Sequence, residues 1–146
     1  MKRICFVCLG NICRSPMAEF MMKKKIKKLN LEEEFQIVSR ATSYEEEGND
    51  IYPPAKRKLT MENIPFSNHK ATRLEPNDYE KYDYFICMEL RNVSNAIRIL
   101  GDDKEHKIFT LLDKDIADPW YSGNFDETYD DLEVGLNALI NNLIKK

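Results

Sequence analysis

Ten residues near the N-terminus, Val7-Cys8-Leu9-Gly10-Asn11-Ile12-Cys13-Arg14-Ser15-Pro16, constrain the fold more than any other stretch. They follow the short apolar run Arg3–Val7. They precede a helical segment, about Met17–Lys28, with apolar residues at Met17, Met21, Met22, Ile26 and Leu29. The apolar run does not alternate with polar residues, as expected of a parallel strand covered on both faces. Gly10 and Asn11 tolerate the left-handed backbone of a tight loop. Ser15 is a good N-cap, and Pro16 suits the first helical position. Strand, loop and helix N-terminus therefore follow in order.

The chemistry of this loop is as specific as its shape. Cys8 and Arg14 stand six positions apart. A thiolate is the attacking form of cysteine, and a helix N-terminus favours it. The same N–H groups bind anions. An arginine adds a planar fork that grips two oxygens at once. Nucleophile, cradle and clamp together suit a phosphate-like dianion held against sulfur. The plain alternative is a buried core cysteine, and that reading is adopted for Cys5.

Composition narrows the partners. The 146 residues fit one domain with a real core. A net charge of -3, from 22 basic and 25 acidic residues, leaves no electrostatic footprint for nucleic acid. The one basic cluster, Lys23-Lys24-Lys25 with Lys27-Lys28, reads as the solvated, C-terminal part of the first helix. No segment is long and apolar enough to span a membrane, and no cleavable signal pattern is visible. Four cysteines without scaffold spacing point to a reducing, cytoplasmic setting, with signal-less export still open. His69 and His106 are the only histidines, no Cys/His spacing suits a metal, and no cofactor is expected.

Strand and helix signals alternate along the chain. Phe35–Ser39 reads as a second strand, followed by an acidic loop over 41–54 and a helix from about Pro54 to Met61. A short extended piece falls near His69–Thr72. Tyr82–Met88 is a third strand, Leu90–Leu100 a helix ended by Gly101, and Lys107–Leu112 a fourth strand. Phe125, Tyr129, Leu132, Leu136, Leu139 and Leu143 mark a closing helix. The alternation predicts an α/β fold over 1–146: a single domain, a four-stranded parallel sheet with helices on both faces. Ligands bind such sheets at the carboxyl ends of the strands, where Cys8 falls.

The segment Cys8-Leu9-Gly10-Asn11-Ile12-Cys13-Arg14-Ser15-Pro16 resembles the active-site signature of the low-molecular-weight protein tyrosine phosphatases. The resemblance extends to Asp118-Pro119-Trp120-Tyr121, to Asp83-Tyr84-Phe85-Ile86-Cys87-Met88 and to the total length. It implies hydrolysis of phosphotyrosine through a phosphocysteine on Cys8, with Arg14 and the amides of Leu9, Gly10, Asn11, Ile12, Cys13 and Ser15 holding the phosphate. It makes Asp118 the general acid; Asp113 and Asp115 are read as ordinary loop aspartates. Trp120 and Tyr121 would flank the pocket mouth, with Tyr44, Glu45 and Glu46 as candidates for the opposite wall. A solvated acidic loop is the other reading of Glu45-Glu46-Glu47. Asn11 would brace the loop, Ser15 would point its hydroxyl at the sulfur, and His69 would bond Ser15. Glu89 stands where relatives often carry aspartate, which leaves a link to the loop doubtful. Cys13 is either a reversible disulfide partner of Cys8 or a small core filler. Expected partners are phosphotyrosine-containing proteins or small aryl phosphates, and the expected state is a monomer or weak dimer.

Three other readings compete. An arsenate reductase on the same scaffold needs a cysteine relay, and Cys87 stands alone in an apparent strand. A phosphoarginine phosphatase of this family carries threonine where this chain has Ile12. A non-catalytic phosphopeptide-binding module needs neither the thiol nor Asp118.

Overall fold

Strand β1, Lys2–Cys8, is the spine of the molecule. Ile4, Cys5, Phe6 and Val7 are fully buried, and Cys8 nearly so. Side chains alternate across a strand. Ile4, Phe6 and Cys8 accordingly join the larger apolar core, whereas Cys5 and Val7 join a smaller one on the opposite face. With both faces covered, an all-apolar run is what the position demands.

The computed structural model describes residues 1–144; residues 145 and 146 of the expected domain lie outside the described residues. Strands β2 (Phe35–Ala41) and β3 (Tyr84–Cys87) flank β1, and β4 (Ile108–Thr110) pairs with β3. All pairings are parallel, in the order β2-β1-β3-β4. Helices α1 (Arg14–Lys28), α2 (Pro53–Met61) and α5 (Phe125–Ile144) pack on the larger core, and α3 (Leu90–Leu100) on the smaller. The expected α/β fold is therefore the observed one. The segments after β1, β2 and β4 leave the carboxyl ends of the strands, the edge at which sheets of this kind bind ligands.

Local boundaries differ from the sequence reading. Helix α1 begins at Arg14, three residues before Met17, with Cys13 at the N-cap and no side-chain cap. Ser15 and Pro16 thus lie inside the first turn. The first four N–H groups of a helix have no intrahelical acceptor, so proline there sacrifices no bond. Leu29, read as part of the apolar face, is 47% exposed at the C-cap. Cys8 ends β1 rather than following it. The strands expected over 82–88 and 107–112 contract to 84–87 and 108–110, and β2 extends to Ala41. The extended piece near 69–72 contributes one bridge, Ala41 with Arg73. Two short 3-10 turns, Glu32–Glu34 and Pro76–Glu80, carried no periodicity to reveal them. Gly101 does end α3, at a left-handed φ of 97°.

Helix α5 approaches the segment after β4 through Gly135. A Cβ there would stand 2.5 Å from Leu111 Cγ and 2.8 Å from its Cδ2. Gly135→Ala is therefore expected to destabilise the fold by about 1 kcal/mol, the overpacking exceeding the gain in helix propensity. Urea unfolding checks this: the midpoint should fall at an unchanged m-value, and a midpoint that rises would refute the packing argument.

Candidate active site

The loop between β1 and α1 is turned by its carbonyls. Cys8 O accepts from Thr42 N (3.0 Å), Leu9 O from Ser43 N (3.1 Å), Ile12 O from Tyr52 N (2.9 Å) and Cys13 O from Met17 N (3.0 Å). Asn11 O accepts from His69 Nε2 at 2.7 Å. In a trans peptide the C=O and the next N–H point opposite ways. Tying five carbonyls to the scaffold therefore directs the N–H groups of Leu9, Gly10, Ile12, Cys13 and Arg14 the other way, toward the cavity. That cavity, about 70 Å³, is lined by residues 8–14 together with Glu45, Glu46, Asp118, Trp120 and Tyr121. The ring of donors is a built anion cradle.

At its base lies the thiol. Cys8 Sγ is 3.0 Å from Ser15 Oγ and accepts from Asn11 N at 3.3 Å. Ser15 Oγ in turn accepts from Asn11 Nδ2 at 2.8 Å. That leaves the serine proton free to be donated to sulfur. Asn11 Oδ1 accepts from Thr72 N at 3.1 Å, which fixes the orientation of the amide. Asn11 is fully buried and sits at φ 61°. It, and not Gly10, takes the left-handed conformation. Gly10 serves a different need: a Cβ there would come within 3.3 Å of Glu46 Cγ. His69 bonds the Asn11 carbonyl rather than Ser15, which corrects the role expected of it.

Arg14 is 2% exposed. Its Nη1 donates to Ile116 O at 2.9 Å and lies 3.3 Å from Glu89 Oε2; its Nη2 lies 3.4 Å from Asp118 Oδ2. A buried guanidinium requires such partners. Glu89 thus does reach the loop, contrary to the doubt raised by its extra methylene. Asp118 N-caps the short helix α4 (Pro119–Ser122), its Oδ1 accepting from Trp120 N at 3.0 Å. Asp115 is no idle loop residue either: its Oδ1 accepts from Leu90 N at 2.9 Å, joining the 111–118 loop to the start of α3.

The walls are mixed. Trp120 and Tyr121 line the cavity as expected, and the ring of Tyr52 lies 4.5 Å from that of Trp120. On the other side the lining comes from Glu45 and Glu46. Tyr44, expected there, turns away: Arg73 stacks over its ring at 4.4 Å and donates to its hydroxyl. Ser15 lies behind the thiol and does not line the cavity. Sequence reasoning missed Tyr52, Thr72 and Ile116. Of these, the first carried a signal, an aromatic inside an otherwise acidic loop.

All four cysteines are free thiols. Burial holds the Cys5, Cys13 and Cys87 thiols well above the ordinary value, with the nearby Cys8 a second cause at Cys13 and Cys87. Cys13 packs with Ile12 and Ala71. Cys87 is fully buried in β3.

This architecture has known counterparts. The family described as low molecular weight phosphotyrosine protein phosphatase matches residues 3–146. The low molecular weight protein-tyrosine-phosphatase PtpA of Staphylococcus aureus is 33% identical, over 99% of this chain and 96% of that one. Among solved structures, SP-PTP, a low molecular weight protein tyrosine phosphatase from Streptococcus pyogenes, is similar at a TM-score of 0.93 and 36% identity, covering 100% of this chain and 95% of that one. YfkJ from Bacillus subtilis is similar at 0.94 and 31%, covering 100% and 98%. The chain belongs to the low molecular weight protein-tyrosine phosphatase family and is a hydrolase of that class. Among the described residues, no helix is long and apolar enough to cross a membrane.

Asn11 holds the loop in two separable ways, through its side-chain bonds and through its backbone. Asn11→Gly removes only the bonds, at a cost of about 1–3 kcal/mol. Asn11→Ala also forces a Cβ-bearing residue without a local hydrogen bond into the left-handed region, for about 1 kcal/mol more. Thermal unfolding of the two variants checks the order; equal stabilities would show that the backbone conformation is not strained for alanine.

Proposed function

We propose that the chain hydrolyses phosphotyrosine, in proteins or as small aryl phosphates, by two-step transfer through Cys8. The observation that carries this reading is the ring of inward amides closing over a thiol with Arg14 and Asp118 at its rim. In the first step Cys8 sulfur attacks phosphorus and the P–O bond to the phenol breaks. Asp118 gives its proton to the departing oxygen. The inward amides and the Arg14 fork hold the equatorial oxygens as charge shifts among them. In the second step water attacks phosphorus, the P–S bond breaks, and the water proton passes to Asp118. The sulfur leaves as thiolate, received by the Ser15 hydroxyl and the Asn11 amide.

The contact between Arg14 and Asp118 fits this sequence. A phosphate dianion competes for the same guanidinium donors. Its arrival loosens Asp118 from Arg14 and leaves the carboxyl able to turn toward the departing oxygen. Cys13 and Cys8 share the lining of one cavity, and a disulfide between them would protect the Cys8 sulfur after oxidation. The aromatic pair Trp120–Tyr121 in the cavity lining favours an aryl phosphate over phosphoserine. Ile12 in the same lining leaves no hydroxyl for the phosphoarginine alternative, and the burial of Cys87 removes the outward relay that arsenate reduction needs.

Steady-state hydrolysis of an aryl phosphate tests the assignment. Cys8→Ser should abolish turnover; retained activity would refute the nucleophile. Asp118→Asn keeps the α4 cap yet should lower kcat by about 10²- to 10⁴-fold. That loss should shrink for phenols that leave without a proton. An unchanged kcat with raised KM would assign Asp118 to binding instead.

A further inference from the structure

We propose a second, non-catalytic site for a phosphate monoester dianion, in the cleft between the end of β2 and helix α3. The cleft, about 510 Å³, is lined by Thr42, Arg73, Pro76, Asn95, Arg98 and Ile99. It lies on the α3 side of the sheet, and none of these residues lines the catalytic cavity.

Three observations point to an anion. First, both charged groups in the lining are guanidiniums, on a chain whose net charge is -3. Among the described residues no carboxylate pairs with either. Glu47 Oε1 takes the backbone N–H of Arg73 and not its side chain, and Glu75 Oε1 is met through the hydroxyl of Tyr44 rather than directly. Second, Arg73 is already oriented: it stacks on Tyr44 at 4.4 Å, while its Nε and Nη1 donate to the carbonyls of Thr42 and Leu74. Its Nη2 remains available. Third, the Asn95 amide shares the lining, and two guanidinium forks with an amide form a donor set matched to phosphate oxygens. Pro76 and Ile99 supply an apolar edge for whatever carries the phosphate.

The cleft is wired to the catalytic loop. Thr42 N donates to the carbonyl of Cys8, and Arg73 Nε to the carbonyl of Thr42. A ligand that fixes Thr42 and Arg73 therefore stiffens one of the bonds that turn the loop amides inward. The phosphate has two possible sources: a second phosphorylated residue on the same substrate, or a free phosphorylated small molecule.

Titration of the intact protein with inorganic phosphate, read by backbone amide shifts, tests the site. The α3 amides of Asn95 and Ile99 should saturate with a midpoint distinct from that of residues 9–14. Among the described residues Arg98 forms no ion pair, so Arg98→Gln should weaken the α3 isotherm by about threefold or more and leave the loop isotherm in place. Absence of saturation at α3, a single shared midpoint, or an unchanged isotherm in Arg98→Gln overturns the proposal. Peptide kinetics then separate the sources, an arm that alone rests on the phosphatase reading. If Arg98→Gln raises KM for a doubly but not a singly phosphorylated peptide, the second phosphate is on the substrate. If both peptides respond alike while phosphate still saturates α3, the ligand is a free phosphorylated compound.

Discussion

The site rests on where the carbonyls of residues 8–13 go. Five of them are bound by partners outside the loop or by the first turn of α1, and peptide planarity does the rest. An anion cradle made of backbone amides is useful only if those amides are held inward before the anion arrives. The partners that hold them come from widely separated segments: Thr42 and Ser43 after β2, Tyr52 before α2, His69 in the crossover to β3. The cradle is therefore a property of the whole carboxyl edge of the sheet. That explains why a loop rich in small, flexible residue types is nonetheless fully determined.

Asn11 is the hinge between this scaffold and the sulfur. Its backbone N–H reaches Cys8, its carbonyl is held by His69, and its side chain spans Ser15 and Thr72. One residue thus fixes the loop conformation, orients the serine hydroxyl and sets a backbone N–H on the Cys8 sulfur. Asparagine is suited to this because it tolerates positive φ and carries both a donor and an acceptor. Glycine at 11 would supply the angle and the backbone bonds but neither side-chain bond, to Ser15 or to Thr72.

Much of this was legible in the amino acids. The non-alternating run before Cys8 marked a central parallel strand, and the closing helix announced itself through six apolar positions. Cys8, Arg14, Asp118, Trp120 and Tyr121 converge on one cavity, as their spacing and the family resemblance implied. What stayed hidden was set by tertiary contact. Ser15 and Pro16 have the chemistry of a helix start, yet α1 begins at Arg14, because the serine hydroxyl serves the thiol and proline loses nothing in a first turn. Gly10 signals left-handed backbone by type, but what it meets is the close passage of the Glu46 side chain, which a Cβ at 10 would have to push back. Tyr44 and His69 were assigned to the right neighbourhood and the wrong partners. Side-chain direction in an irregular loop depends on residues far along the chain, here Arg73 and the Asn11 carbonyl. Glu89 shows the converse: one added methylene still let the carboxylate reach Arg14.

The burial of Arg14 carries a final consequence. A guanidinium at 2% exposure with two carboxylates at 3.3 and 3.4 Å is neutralised within the fold. Neither contact is short, and the better hydrogen bond, 2.9 Å, goes to the Ile116 carbonyl. Buried ion pairs contribute little net stability, because desolvation offsets attraction. Their value here is that the charge is kept dry and aimed while held by partners that can be exchanged. A phosphate dianion offers shorter, two-pronged bonds to the same fork. In the proposed reaction, substrate binding would replace one set of anionic contacts by another without rehydrating the arginine. Ile116 would keep the guanidinium in place, Glu89 would remain as a fixed counter-charge, and Asp118, the contact on the cavity side, would be the one released to meet the departing oxygen. The proposed acid would thereby be freed by the group it protonates, linking binding to chemistry through a single side chain.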